Sequence, residues 1–149
     1  MQKLLKFIFI ITFLLPSYTS VEASSRREII KGPISGEVLH VLDGDTLSVN
    51  IQVWLGQSIQ TKLRIDGIDT PEMKGKCDSE ISKAKEARQE IIKLINGNKI
   101  SVYNIRNGKY AGRVLAQVKT TEGLDLAEHM IKKGLARPYH GKKRLGWCA

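Results

Sequence analysis

From Gly36 onward, apolar and polar residues alternate in short runs. Val38, Leu39, Val41 and Leu42 lead into Asp43-Gly44, after which Leu47, Val49, Ile51 and Val53 alternate with polar neighbours. Period-two alternation on either side of a two-residue turn predicts a strand, a tight turn and a second, half-buried strand. Leu55-Gly56-Gln57-Ser58 predicts another turn, and Ile59 to Ile68 a third strand. That strand must stop by Pro71, which has no amide proton for a ladder. Over residues 79–96 the period becomes helical, with Ile81, Ala84, Ala87, Ile91, Leu94 and Ile95 on one face. Asp78 or Ser79 can cap this helix, and Asn96-Gly97 can end it. Ile100 to Ile105 and Val114 to Val118 predict two more strands, joined through Arg106-Asn107-Gly108-Lys109. A second helix fits Asp125 to Lys133, with Gly134 at its end.

Five short strands with a helix between the third and fourth predict an α+β, mainly β fold. It is a small antiparallel barrel with two packed helices, matching the five-stranded oligonucleotide-binding (OB) barrel in strand count. The pattern alone also admits another α+β sheet. No internal repeat or low-complexity tract interrupts it. Residues 35–149 are expected to form one domain, preceded by a polar, basic stretch at 24–34 that reads as a flexible lead-in.

The first 23 residues have a different texture. Lys3 and Lys6 precede an apolar run from Phe7 to Leu15, and Val21-Glu22-Ala23 offers small residues for cleavage. This is the layout of a removable signal peptide, with an apolar run shorter than a spanning helix needs; an uncleaved N-terminal anchor is the alternative. The expected product is exported, secreted or periplasmic, with no stable membrane association. It would keep about 126 residues, enough for one core. The two cysteines, Cys77 and Cys148, lie beyond the cleavage point, and in an exported chain they are most simply one disulfide. Two unpaired thiols are the alternative.

Charge narrows the class of partner. The chain has 24 Lys+Arg against 15 Asp+Glu, a formal charge of +9. Such an excess suits a polyanion or an anionic surface and does not choose between them. Against it, Asp43-Gly44-Asp45-Thr46 and Arg64 to Glu72 concentrate carboxylates beside an arginine. Gathered carboxylates repel one another unless a cation relieves them, and Ca²⁺ and Mg²⁺ favour oxygen ligands. Taken singly, each stretch also reads as ordinary turn chemistry. Arg64 in an apolar strand needs an anion, either a substrate phosphate or Asp66 two residues along. Arg113 enters another strand after Gly112. Glu72 could orient or deprotonate a water, or cap a turn. His40, His129 and His140 have no paired spacing. His129 reads as helix surface, and the other two as incidental.

Together, Val41-Leu42-Asp43-Gly44-Asp45-Thr46, Leu63-Arg64 through Asp69-Thr70-Pro71-Glu72, Gly112-Arg113-Val114-Leu115-Ala116 and Gly134-Leu135-Ala136 resemble the staphylococcal nuclease (thermonuclease) family. The four stretches occur in the family's order across residues 36–140. The resemblance implies the OB barrel and Ca²⁺-dependent hydrolysis of DNA and RNA leaving 3′-phosphates, with Mg²⁺ as an alternative cation. It implies that Asp45, Asp69 and the carbonyl of Thr70 hold the metal, with Asp43 flanking it. Arg64 and Arg113 would stabilise the phosphate, Glu72 would handle the water, and Lys109 and Tyr110 would contact substrate. Lys109-Tyr110-Ala111-Gly112-Arg113 carries one residue more than the family's Lys-Tyr-Gly-Arg. The third helix of the best-known members has no counterpart after Tyr139, where a Cys77–Cys148 bond would tether the tail instead. A monomer is the default expectation. The competing readings are a non-catalytic nucleic-acid-binding OB module, expected to lose the arginines or carboxylates, and a basic domain that binds surfaces.

Overall fold

The computed structural model describes residues 28–109 and 111–148, except for the side chain of residue 96. The proposed signal peptide and Tyr110 lie outside the described residues. Five strands close into a barrel: β2 (Ile34–Val41), β3 (Thr46–Trp54), β4 (Gln57–Ile65), β7 (Arg113–Thr120) and β6 (Lys99–Asn107), which returns to β2. The helices are α1 (Asp78–Leu94), between β5 (Ile68–Asp69) and β6, and α2 (Leu126–Lys132), before β8 (Arg137–Pro138). The fold is mainly β, with two helices on an OB-like barrel, as expected. One pairing differs. β4 and β7 run parallel, with Lys62 opposite Arg113 and Arg64 opposite Leu115.

Strand alternation becomes a packed interior. Leu47, Val49, Leu63, Ile65, Val102 and Val118 are all buried inside the ring. Ala84, Ala87 and Ile91 of α1 and Leu126 and Met130 of α2 extend the core, at the spacing that puts one helical face inward. Asp125 caps α2 by accepting from the amides of Ala127 and Glu128. The start of α1 is different from expectation. Cys77 takes the capping position without a side-chain cap bond, so neither Asp78 nor Ser79 acts there.

Other local departures have physical causes. The strand expected over 59–68 breaks after Ile65 at an Asp66-Gly67 turn, where Gly67 has φ +84°. The chain then resumes as β5, which pairs with β8 so that Asp69 faces Arg137. Part of the stretch read as lead-in is a strand: β1 (Ile29–Ile30) pairs with Arg106 and Ile105 of β6. Asp66 bonds Arg106 through both carboxylate oxygens at 2.7 and 2.9 Å, so it is not the partner of Arg64. His129 is not simple helix surface, because its ring bonds Glu90 at 2.7 Å and ties α2 to α1. That hydrogen bond holds the Glu90 carboxyl below its ordinary range.

Gly44 shows how tightly the site is built against α1. A Cβ there would lie 2.8 Å from the Cβ of Ala87 and 3.1 Å from Thr70. Gly44→Ala is therefore expected to cost about 1–3 kcal/mol, because both neighbours must move. Urea titration measures this, and a midpoint equal to wild type would contradict the packing argument.

Candidate active site

Two turns and one strand bring the acids together. In the turn after β2, Asp43 accepts from the Asp45 amide at 3.0 Å, and the Leu42 amide donates to the Thr46 carbonyl at 2.9 Å. This directs Asp45 inward, where it is 1% exposed. Along β4, Leu63 and Ile65 face the core, so Arg64 between them projects to the other face beside its partner Thr46. There the Arg64 guanidinium donates to Asp45 Oδ1 at 2.5 Å and to the Ile68 carbonyl at 3.3 Å, with Asp69 Oδ1 at 3.8 Å. Thr46 Oγ1 also donates to Asp45 Oδ1, and the Thr70 amide approaches Oδ2 at 3.4 Å. Asp45 and Asp69, distant in sequence, thus meet at one guanidinium, with the Thr70 amide against Asp45.

Glu72 lies on the loop from β5 to α1, and its side chain is partly exposed. The loop is pinned by Glu80, buried in the first turn of α1. Glu80 accepts from the amides of Glu72 at 3.4 Å and Lys76 at 3.0 Å. Arg113 starts β7 opposite Lys62, which places it on the same sheet face as Arg64, two pairing steps away. Lys109 is exposed in the connection from β6 to β7.

The tail supplies two residues that sequence reading missed. Arg144 donates to Asp69 Oδ1, to Glu72 Oε1 and, at 3.1 Å, to the Thr70 carbonyl. Trp147 Nε1 donates to Asp69 Oδ2 at 3.1 Å. The Arg137 guanidinium stacks 3.6 Å from the Trp147 ring centre, and Cys148 is bonded to Cys77. Gly-Lys-Lys-Arg-Leu-Gly-Trp-Cys has no periodicity to mark it. The available signal was the disulfide itself, which brings residues 144–147 to a loop five positions past Glu72.

The electrostatics favour a cation. Burial pushes the Asp45 carboxyl up to about 7; Arg64 opposes this, Asp43 adds to it, and the Thr46 bond offsets part of it. Buried carboxylates and a carbonyl form an all-oxygen donor set suited to a hard divalent ion. Asp45, Asp69 and the Thr70 carbonyl could hold one. Cys77, Glu80 and Cys148 also lie close together, but both sulfurs are in the disulfide and offer no thiolate.

A pH dependence follows from Asp45. Between about pH 4 and 7 the folded, metal-free protein holds a proton that the unfolded chain has released. Stability contributed by this group is full below the unfolded value and is lost as pH rises to about 7. Thermal melts in chelator should show wild type losing stability relative to Asp45→Asn across that window. Parallel curves would contradict the burial argument.

The chain is similar to several known proteins. The family model described as staphylococcal nuclease homologue matches residues 62–145. An Escherichia coli protein named "uncharacterized endonuclease" is 28% identical over 114 residues, covering 74% of this chain and 65% of its own length. A "probable endonuclease" of Phaeosphaeria nodorum is 33% identical over 91 residues, covering 59% of this chain and 30% of its own. A "probable staphylococcal-like nuclease" of Oryza sativa subsp. japonica is 32% identical over 78 residues, covering 52% and 21%. The chain therefore spans less than two thirds of these relatives.

Proposed function

This chain belongs to the staphylococcal nuclease family, and from that premise we propose that it is a metal-dependent endonuclease. It hydrolyses phosphodiester bonds of DNA and RNA with little base specificity, leaving 3′-phosphates. The observation that carries the reading is the convergence of Asp45, Arg64, Asp69 and the Thr70 carbonyl, with Glu72 joined to Asp69 through one guanidinium. A binding module without catalysis is expected to lose the arginines or carboxylates, whereas Asp45, Arg64, Asp69, Glu72 and Arg113 are all present.

Asp45, Asp69 and the Thr70 carbonyl would hold Ca²⁺ or Mg²⁺. When bound, such an ion supplies Lewis-acid polarisation of a phosphoryl oxygen. The remaining steps fall to the chain. Glu72 accepts a proton from, or orients, the attacking water. Arg64 and Arg113 stabilise the negative charge that grows on the non-bridging oxygens. The surface lysines attract the polyanion and make binding weaken as salt rises. Among the described residues no helix is long and apolar enough to cross a membrane. Export through residues 1–23, and a monomeric state, belong to the same proposal.

The test is degradation of plasmid and RNA by the purified chain with Ca²⁺, with Mg²⁺ and with chelator. Cation-dependent cleavage of both supports the reading, and intact substrate in every arm removes it.

A further inference from the structure

Arg144 grasps the oxygens that the proposed function assigns to the cation. Its Nε donates to Asp69 Oδ1, its Nη2 to the Thr70 carbonyl and its Nη1 to Glu72. The other oxygen of Asp69 accepts from Trp147. The tail thus bonds both oxygens of Asp69 and the Thr70 carbonyl together. A divalent ion taking Asp69 and Thr70 as ligands must replace bonds from Arg144, and a guanidinium left in contact with it would repel it.

The means of displacement are built into the tail. Cys148, bonded to Cys77, keeps Arg144 from leaving, while Arg137 stacks on Trp147 and donates to the Gly146 carbonyl at 2.7 Å. Between these anchors and Arg144, Leu145 is 71% exposed and nothing crowds Gly146. The Arg144 side chain is itself 37% exposed, so it borders solvent into which it can swing while its backbone stays attached. Tethering also keeps it at high effective concentration beside the acids. A guanidinium keeps its charge throughout the working pH range, so it competes as a full cation.

We propose that Arg144 is a tethered counter-cation of this site, which holds Asp69, Thr70 and Glu72 together and which a divalent ion must displace. Resting on the metal-dependent reading above, this makes Arg144 the residue that sets the cation affinity. It also makes the disulfide, by confining the tail, a determinant of that affinity.

Calorimetric titration of the full chain with Ca²⁺ alone tests this without turnover. Losing charge-assisted bonds of this kind predicts that Arg144→Gln binds Ca²⁺ about tenfold tighter or more. Arg144→Lys keeps the charge and should stay within about threefold of wild type, on the same conversion. Cys148→Ser and reduced wild type should move in the same direction as Arg144→Gln. Circular dichroism confirms that each variant is folded, and if Arg144→Gln does not fold, the reduced wild type decides. Unchanged or weaker binding by Arg144→Gln, equal shifts in the Gln and Lys variants, or no Ca²⁺ binding by any form would overturn the proposal. Chelator-insensitive cleavage would instead sink the functional reading, because calorimetry reads Arg144 independently of hydrolysis.

Discussion

Arg64→Ala is expected to lower the hydrolysis rate by about two to three orders of magnitude, the usual cost of removing one preorganised charge donor. The same change should cost about 3–5 kcal/mol of stability, because it strands a buried acid. Asp45 is 1% exposed and takes its shortest hydrogen bond from this arginine at 2.5 Å. The arginine is also what holds the Asp45 carboxyl down against the rise caused by burial. Without it, the carboxyl should rise further. Arg64→Lys restores the charge but not the planar fork that spans Asp45 and the Ile68 carbonyl, and should recover only part of either loss. Single-turnover cleavage and urea denaturation on the three proteins measure these effects separately. A variant that is less stable but cleaves at the wild-type rate would remove Arg64 from the chemistry and leave it a structural role.

The second large effect is on stability alone. Cys77 and Cys148 are 71 residues apart, so their bond closes most of the domain into one loop. In the chain-entropy model a loop of this length contributes about 4 kcal/mol, lost in a Cys77→Ser/Cys148→Ser double variant. For a domain of this size that corresponds to a melting temperature lower by on the order of 10 °C. Reducing agent should lower the wild-type melting temperature by a similar amount and leave the double variant unmoved. Equal melting of oxidised and reduced wild type would show that the tail adds nothing to the fold.

Features set by local pattern were legible in the sequence. Alternation through Leu47, Val49 and Ile51 gave β3, and the helical stripe through Ala84, Ala87 and Ile91 gave α1, because each periodicity has one geometry that buries its apolar face. The acid cluster was also legible, since Asp45, Arg64 and Asp69 sit in short motifs whose joint occurrence is informative. What escaped is long-range pairing between polar residues. Asp66 could reach Arg64 by spacing, yet it binds Arg106 from across the sheet, a choice made by strand register. Glu80 reads as one more charge in a helical first turn. Only the folded loop shows it accepting the Glu72 and Lys76 amides. Arg144 and Trp147 lie in a stretch without periodicity, and their place is fixed by a covalent bond whose partner is 71 residues away.

The parallel seam between β4 and β7 has a kinetic consequence. It joins positions about 50 residues apart, so the ring cannot shut until α1 and β6 have been laid down between them. High contact order of this sort places folding in the millisecond-to-second class, slower than for helical bundles of equal size. Until that seam zips, β4 and β7 both present bare edges on which two unfinished chains could pair with each other. Refolding yield should accordingly fall as protein concentration rises, even where the finished barrel is fully soluble.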